Sequence, residues 1–268
     1  MIGAASGSAN RQFQLISTTT ITSTGSQDYT VPSGTAYLVF EYYGAGGGGG
    51  GGNQSQSGRS ISYKGGGGGG GGSNIIHRYA SELLIDGDII RFTVGTGGEG
   101  GAGATPGGTG GSTSPITHRD SSLAIKYTFA GPTAGGGRGG LSPITFSAGG
   151  TRGGVASGAN LFNNDGYNGG NNHASLGNGG TGGAYTVIST ALQDPEESFI
   201  ATTINLVLDN DGWGISTPGA GGIASTSTVG GNGSSPSNGG GGGYSKALAA
   251  FDSSGSGGNG KVIVRAYG

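Results

Sequence analysis

The sequence predicts an all-β protein in which antiparallel, β-sandwich-like layers are combined with packed polyglycine-II helices, the glycine form of polyproline II. Three observations lead there. Segments of strand length rich in apolar, β-branched and aromatic residues recur along the chain. Unbroken glycine runs lie between them. Helical patterning is nearly absent: the only candidates, residues 245–251 and a single turn over 195–198, are too short to stand alone.

The strands are taken in order. The first begins at residues 12–16, Gln-Phe-Gln-Leu-Ile. Residues 37–43, Tyr-Leu-Val-Phe-Glu-Tyr-Tyr, have the composition of a half-buried strand. Residues 80–85 and 88–94 flank Asp86-Gly87, a hairpin-type dipeptide. Leu123, Ile125, Tyr127 and Phe129 alternate on one face of a further strand, as do Ile204, Leu206 and Leu208 within 199–208. Residues 261–267 read as a closing strand paired into a sheet.

The runs 46–52, 65–72 and 239–243 are pure glycine, and looser tracts cover 95–111, 131–140, 149–158, 177–183 and 219–233. Ordering each backbone unit costs about 1–2 kcal/mol, and glycine lies at the costly end. No side chain is present to recover this by burial, so hydrogen bonds between neighbouring segments must do so. The polyproline-II helix turns its peptide groups outward, and glycine lets copies approach on all sides.

Composition removes several function classes. The chain has 69 glycines in 268 residues but only 8 prolines, and its glycines keep no strict three-residue period throughout, which excludes collagen. Charged residues make up 10% and the formal net charge is −2, so no basic field attracts nucleic acid or an anionic membrane. There is no cysteine, hence neither a disulfide framework nor a cysteine zinc site. The first residues lack the basic and apolar regions of a secretory signal. No run approaches 18 apolar residues, so membrane insertion is not expected.

A family likeness rests on the order of short motifs. Residues 29–34, Tyr-Thr-Val-Pro-Ser-Gly, precede the 37–43 strand and its glycine run. A second run follows, then Leu-Leu-Ile-Asp-Gly-Asp-Ile-Ile at 83–90 and Phe-Thr-Val-Gly-Thr-Gly-Gly at 92–98. Gly-Gly-Asn-Gly-Lys-Val-Ile-Val at 257–264 closes the series. This order resembles the phage glycine-rich tail domain, and in its polyglycine character is similar to tail-fibre adhesins of T-even-like phages. The likeness covers about residues 25–112 and the last dozen. It leaves a divergent middle insert at about 113–238 and a short arm, residues 1–11, as an expected particle anchor. It implies a non-enzymatic virion protein of the tail fibre, tail tip or spike, made in the host cytoplasm. Its expected partners are a bacterial surface receptor (a glycan or an outer-membrane protein), other virion proteins and further copies of itself.

Chemical motifs fail on inspection. Residues 255–262 match a phosphate loop except at Val262, where a hydroxyl should hold magnesium, and they precede a strand rather than a helix. His77, His118 and His173 lack metal-ligand spacing. The stretch Asp209-Asn210-Asp211-Gly212 departs from the EF-hand pattern at Trp213 and Ala220. No catalytic residue, metal or cofactor is therefore expected. Binding residues are expected on loops held by a rigid scaffold. The 160–173 loop combines Phe162 and Tyr167 with Asn163, Asn164, Asp165, Asn171 and Asn172, a mixture suited to sugars and polar loops. Arg59 and Tyr63 lie between two glycine runs, in an expected hairpin tip, and Trp213 follows a turn. The leading expectation is receptor binding by loops displayed on a polyglycine scaffold. The alternatives are a purely structural spike or decoration protein and, more remotely, an ice-binding protein.

Overall fold

The computed structural model describes residues 13–51, 53–57, 60–64, 69–79, 84–102, 105–140, 152–166, 168–169, 185–187, 232–233 and 254–268. Among them every regular element is a strand, and every pairing is antiparallel. The larger sheet has six strands: β1 (Leu15–Ile21), β14 (Lys261–Tyr267), β3 (Tyr37–Tyr43), β6 (Asn74–Tyr79), β12 (Phe162–Asn164) and β13 (Tyr185–Val187), in that spatial order. The smaller has four, in the order β2 (Gly25–Thr30), β7 (Ile89–Val94), β8 (Ser114–Arg119) and β9 (Ile125–Thr128). Two short pairs complete the set: β4 (Asn53–Ser57) with β5 (Ser60–Lys64), and β10 (Thr133–Ala134) with β11 (Ala156–Ser157).

The period-two rule sorts β3 into two faces. Leu38, Phe40 and Tyr42 join Val262, Val264 and Ala266 of β14 and Ile75 of β6. Opposite them stand Tyr29, Ile90, Phe92 and Val94 of the smaller sheet. The rings interlock: Phe40 stacks on Tyr42 at 5.5 Å, and Tyr42 meets Phe92 edge-on at 6.5 Å. The other face carries Tyr37 and Val39 with Ile76, Leu161 and Tyr267. All seven residues of β3 are buried, so the strand is central on both faces rather than half-buried as its composition suggests.

Several boundaries differ from the sequence reading. The strand expected at 12–16 starts at Leu15. Asp86-Gly87 does form a turn, with Gly87 at φ +82°, but it does not join two paired strands. The chain crosses there from β6 of one sheet to β7 of the other, and β7 pairs with β2 and β8. The strand expected at 123–129 shortens to β9, because Leu123 sits at φ +72° in a turn whose Ser122 and Ala124 N–H groups donate to the Asp120 carboxylate. The expected strands at 80–85 and 199–208 and the two helical candidates lie wholly or mainly outside the described residues.

Beyond the sandwich the inner strands do not end. β3 runs on into residues 44–51, β7 into 95–102 and β10 into 135–140, while 69–73, 105–112 and 254–260 lead into β6, β8 and β14. Where side chains stop, the two sheets close onto each other and bond directly through their backbones. Thr113 marks the junction. Fully buried, it donates its hydroxyl to Tyr43 O at 2.6 Å and accepts from Gly95 N at 3.0 Å, linking continuations of the two sheets.

Candidate functional site

The glycine tracts form a lattice whose register repeats every third residue. Along 44–51 successive donors turn to successive neighbours. Gly44 and Gly47 N donate to Ser73 and Gly70 O. Ala45, Gly48 and Gly51 N donate to Gly111, Gly108 and Thr105 O, and Gly46 and Gly49 N to Gly258 and Gly255 O. Falling partner numbers make these neighbours antiparallel. Two parallel neighbours donate back: Gly98 and Gly101 N to Gly46 and Gly49 O, Gly137 and Gly140 N to Ala45 and Gly48 O.

The outer tracts bond to one another with the same step of three. Residues 70 and 73 donate to 138 and 135, 107 and 110 to 140 and 137, 108 and 111 to 99 and 96, and 254, 257 and 260 to 101, 98 and 95. The neighbours thus follow one another around 44–51. Glycine is required by contact, not by turning: a Cβ at Gly47, Gly48, Gly97, Gly98 or Gly107 would lie inside 3.0 Å of a neighbour's carbonyl oxygen. Within 44–51, 69–73, 95–102, 105–112, 135–140 and 254–260 no described glycine takes positive φ.

Among the described residues the outgoing tracts reach Gly51, Ala102 and Gly140, and the returning ones begin at Gly69, Thr105, Arg152 and Ser254. By the registers above, all of these points lie at the end remote from the sandwich. Ser254 pins that end, donating its hydroxyl to Gly49 O and lying 3.0 Å from Gly101 O. The stretch after β12 heads the same way: Gly166 N donates to Gly154 O, and Asn168 Oδ1 accepts from Gly153 N at 3.0 Å. We call this end the tip.

The expected binding residues divide. Phe162, Asn163 and Asn164 are not on a loop: they form β12, between β6 and β13 inside the larger sheet. Phe162 packs against the Tyr37 cluster and Asn164 is buried. Asn163 Oδ1 accepts from Ala159 N at 3.2 Å, and Asp165 Oδ1 from Ala156 N at 2.7 Å. These polar groups satisfy backbone donors of residues 156 and 159, while the β12 backbone pairs with β6 and β13. Tyr63 lies in β5 opposite Gln54, in the hairpin that leaves and rejoins the lattice at the tip. Arg59, Tyr167, Asn171, Asn172 and Trp213 lie outside the described residues.

One polar cluster was not visible in the sequence. Asp88 Oδ2 accepts from His118 Nε2 at 2.7 Å, from Lys126 Nζ at 2.7 Å and from Ile85 N at 3.0 Å. His118 Nδ1 lies 3.0 Å from Tyr79 Oη. Asp88, His118 and Tyr79 are all buried. A carboxylate only accepts, so Nε2 carries the proton; in the neutral ring Tyr79 then donates to Nδ1. A bulge between β8 and β9, at the step from His118 to Arg119, lies beside Lys126, the kind of irregularity that re-aims a side chain. Burial pushes the Asp88 carboxyl up, but the bonds from Lys126, His118 and Ile85 N outweigh it and hold the group below its usual value. Burial raises the Tyr79 hydroxyl to about 12, with Tyr127 and Asp88 adding to the effect. The cluster ties β6 of one sheet to β8 and β9 of the other. The sequence separations of 30 to 39 residues in these pairs explain why spacing gave no sign of it. His77 Nδ1 is buried without a hydrogen-bond partner among the described residues, and burial pushes its pKa down to about 4. No group of three or more His, Cys, Asp or Glu poised for a metal occurs among the described residues.

No curated protein matches the chain. A family model described as a glycine-rich domain matches residues 21–267, from the last residue of β1 through the lattice and the middle of the chain to Tyr267. By that match, the chain belongs to the glycine-rich domain family.

Proposed function

We propose that this protein is a phage virion surface protein of the tail fibre, tail tip or spike, which binds a host-cell receptor through loops displayed at the tip of its glycine lattice. The observation that carries this reading is that the described ends of the lattice tracts gather at one end, away from the sandwich, and that the β4–β5 hairpin follows Gly51 there. The resemblance of its motif order to phage glycine-rich tail domains supports it as well. We further infer that the tracts are polyglycine-II helices. Three residues per turn is the repeat of that helix, and the hydrogen-bond register has the same period.

The mechanism is display. A scaffold whose interior is mainly backbone holds its tip mostly by backbone bonds, so tip sequences vary without disturbing an apolar core. The connections 52–68 and 167–184, which contain Arg59, Tyr63, Tyr167, Asn171 and Asn172, are the contact surface in this reading. Many weak contacts add through copy number on a particle. Binding of the purified protein to candidate bacterial cells tests it, beside a variant in which residues 53–64 are replaced by a short glycine-serine link. Loss of cell binding with unchanged thermal stability is the expected result. A protein that binds no bacterial surface, or a variant that binds as well as the parent, sinks the reading.

A second reading, a structural virion component, draws on the smaller sheet. Leu123, Ile125 and Tyr127 on and beside the edge strand β9 are exposed by 54, 59 and 46%. An open strand edge with apolar side chains is suited to a neighbouring virion protein.

A further inference from the structure

We propose that the side chains at every third, outward position of the glycine lattice are guards that keep a second copy of the chain from adding to it. Along residues 95–102 exposure follows the three-residue register. Thr96, Glu99 and Ala102 are exposed, Gly95, Gly98 and Gly101 are buried, and Gly97 and Gly100 are intermediate. The adjoining tract repeats the pattern with Pro106, Thr109 and Ser112 outward. Within 44–51, 69–73, 95–102, 105–112, 135–140 and 254–260, no described glycine is exposed: every exposed position there carries a side chain.

The inward positions show what a neighbour requires. A Cβ at Gly97 would lie inside 3.0 Å of Gly257 O, one at Gly98 inside that distance of Gly108 O, and one at Gly100 of Ser254 O. Backbone-to-backbone bonding at this spacing therefore needs a bare Cα on the facing residue. An outward face of glycine would meet that condition. A three-residue helix makes no hydrogen bonds within itself, so its outer peptide groups stay available. Such a face would be the counterpart of the open edge of a sheet, which proteins blunt with side chains. One Cβ in each turn is enough, because every third residue faces the same way. Direction gives no protection, since 44–51 already accepts parallel and antiparallel neighbours. The matching partner is a second copy of this chain, which presents the same tracts at the same spacing.

The alternative is that side chains occur there only because nothing forbids them. Two triple variants separate the ideas: Thr96→Gly with Glu99→Gly and Thr109→Gly, and the same three positions changed to Ala. Sedimentation velocity over a range of concentrations reads the outcome, with far-UV circular dichroism confirming the parental fold. The glycine variant is expected to associate beyond the parental state, its weight-average mass at least doubling as concentration rises. The alanine variant keeps its Cβ atoms and is expected to sediment like the parent. A glycine variant indistinguishable from the parent overturns the proposal. So does an alanine variant that associates equally, since lost polarity would then be the cause. If the triple glycine variant does not fold, Glu99→Gly with Thr109→Gly is read by the same criteria.

Discussion

The sandwich and the glycine lattice are continuous in chain but opposite in construction. In the sandwich, large side chains such as Phe40, Tyr42 and Phe92 fill the space between sheets, and stability comes from taking apolar surface out of water. In the lattice the backbones themselves touch, and stability comes from hydrogen bonds that repeat every third residue. The two halves should therefore fail under opposite changes: the sandwich when a residue shrinks, the lattice when one grows.

The strongest test pairs one change in each. Phe92→Ala empties a fully buried site between the sheets and is expected to cost about 3–5 kcal/mol. Gly48→Ala puts a Cβ against Glu99 O, a backbone atom that no rotamer change moves aside. Its expected cost is about 3 kcal/mol, at the upper end for overpacking. In an ordinary loop the same Gly→Ala change is neutral or stabilising by about 0.4–1 kcal/mol where φ permits. Urea unfolding of both variants decides; a Gly48→Ala protein as stable as its parent would mean that the lattice gives way easily.

Acid should act first on the sandwich. His77 has a folded pKa of about 4 against 6.5 for the free group. Its contribution is complete above pH 6.5 and is lost as pH falls from there towards 4, by about 2 kcal/mol after allowance for its partial exposure. Asp88 titrates lower still: its folded pKa is depressed, so its contribution holds above the ordinary value of 3.8 and disappears as pH falls through the folded one. A urea midpoint that drops between pH 6.5 and 4 in the parent, and less so in His77→Gln, is the expected result. Equal slopes in the two proteins would remove His77 from the account.

The smallest effect belongs to the outer lattice. Thr96→Ala retains the Cβ and changes an exposed residue, so stability should stay within about 0.5 kcal/mol. Set beside Gly48→Ala, this measures how sharply one residue of three is distinguished from the other two.

Legibility in the sequence followed the same division. Strands 37–43 and 261–267 were placed at their observed ends, and 88–94 to within one residue, because aromatic and β-branched residues concentrate there. β6 and β8 were missed: Asn-Ile-Ile-His-Arg-Tyr and Ser-Pro-Ile-Thr-His-Arg mix polar groups into the strand, and those groups work in tertiary contacts such as His118 with Asp88. Phe162, Asn163 and Asn164 read as a loop because amides favour turns; here all three form a strand within the sheet, where Asn163 serves the Ala159 N–H and Asn164 is buried. A usable signal was present in Thr96, Glu99, Ala102 and in Pro106, Thr109, Ser112, spaced by three amid glycine. Testing the whole chain for the collagen period hides a repeat confined to single tracts.

The lattice also bears on how the molecule comes to its final form. Tract 44–51 bonds to segments spread along the chain, and its contact with Ser254 spans 205 residues. Glu41 and Arg265, 224 residues apart, face each other across β3 and β14. A lone glycine tract has no apolar surface to collapse around and little to nucleate on, so it gains order only when its distant neighbours arrive. Such a topology places the protein among slow folders, in which long loops must close before any bond rewards them. The sandwich has apolar surface to collapse around and the lattice has little, so the Thr113 junction is where order in the one can be handed on to the other.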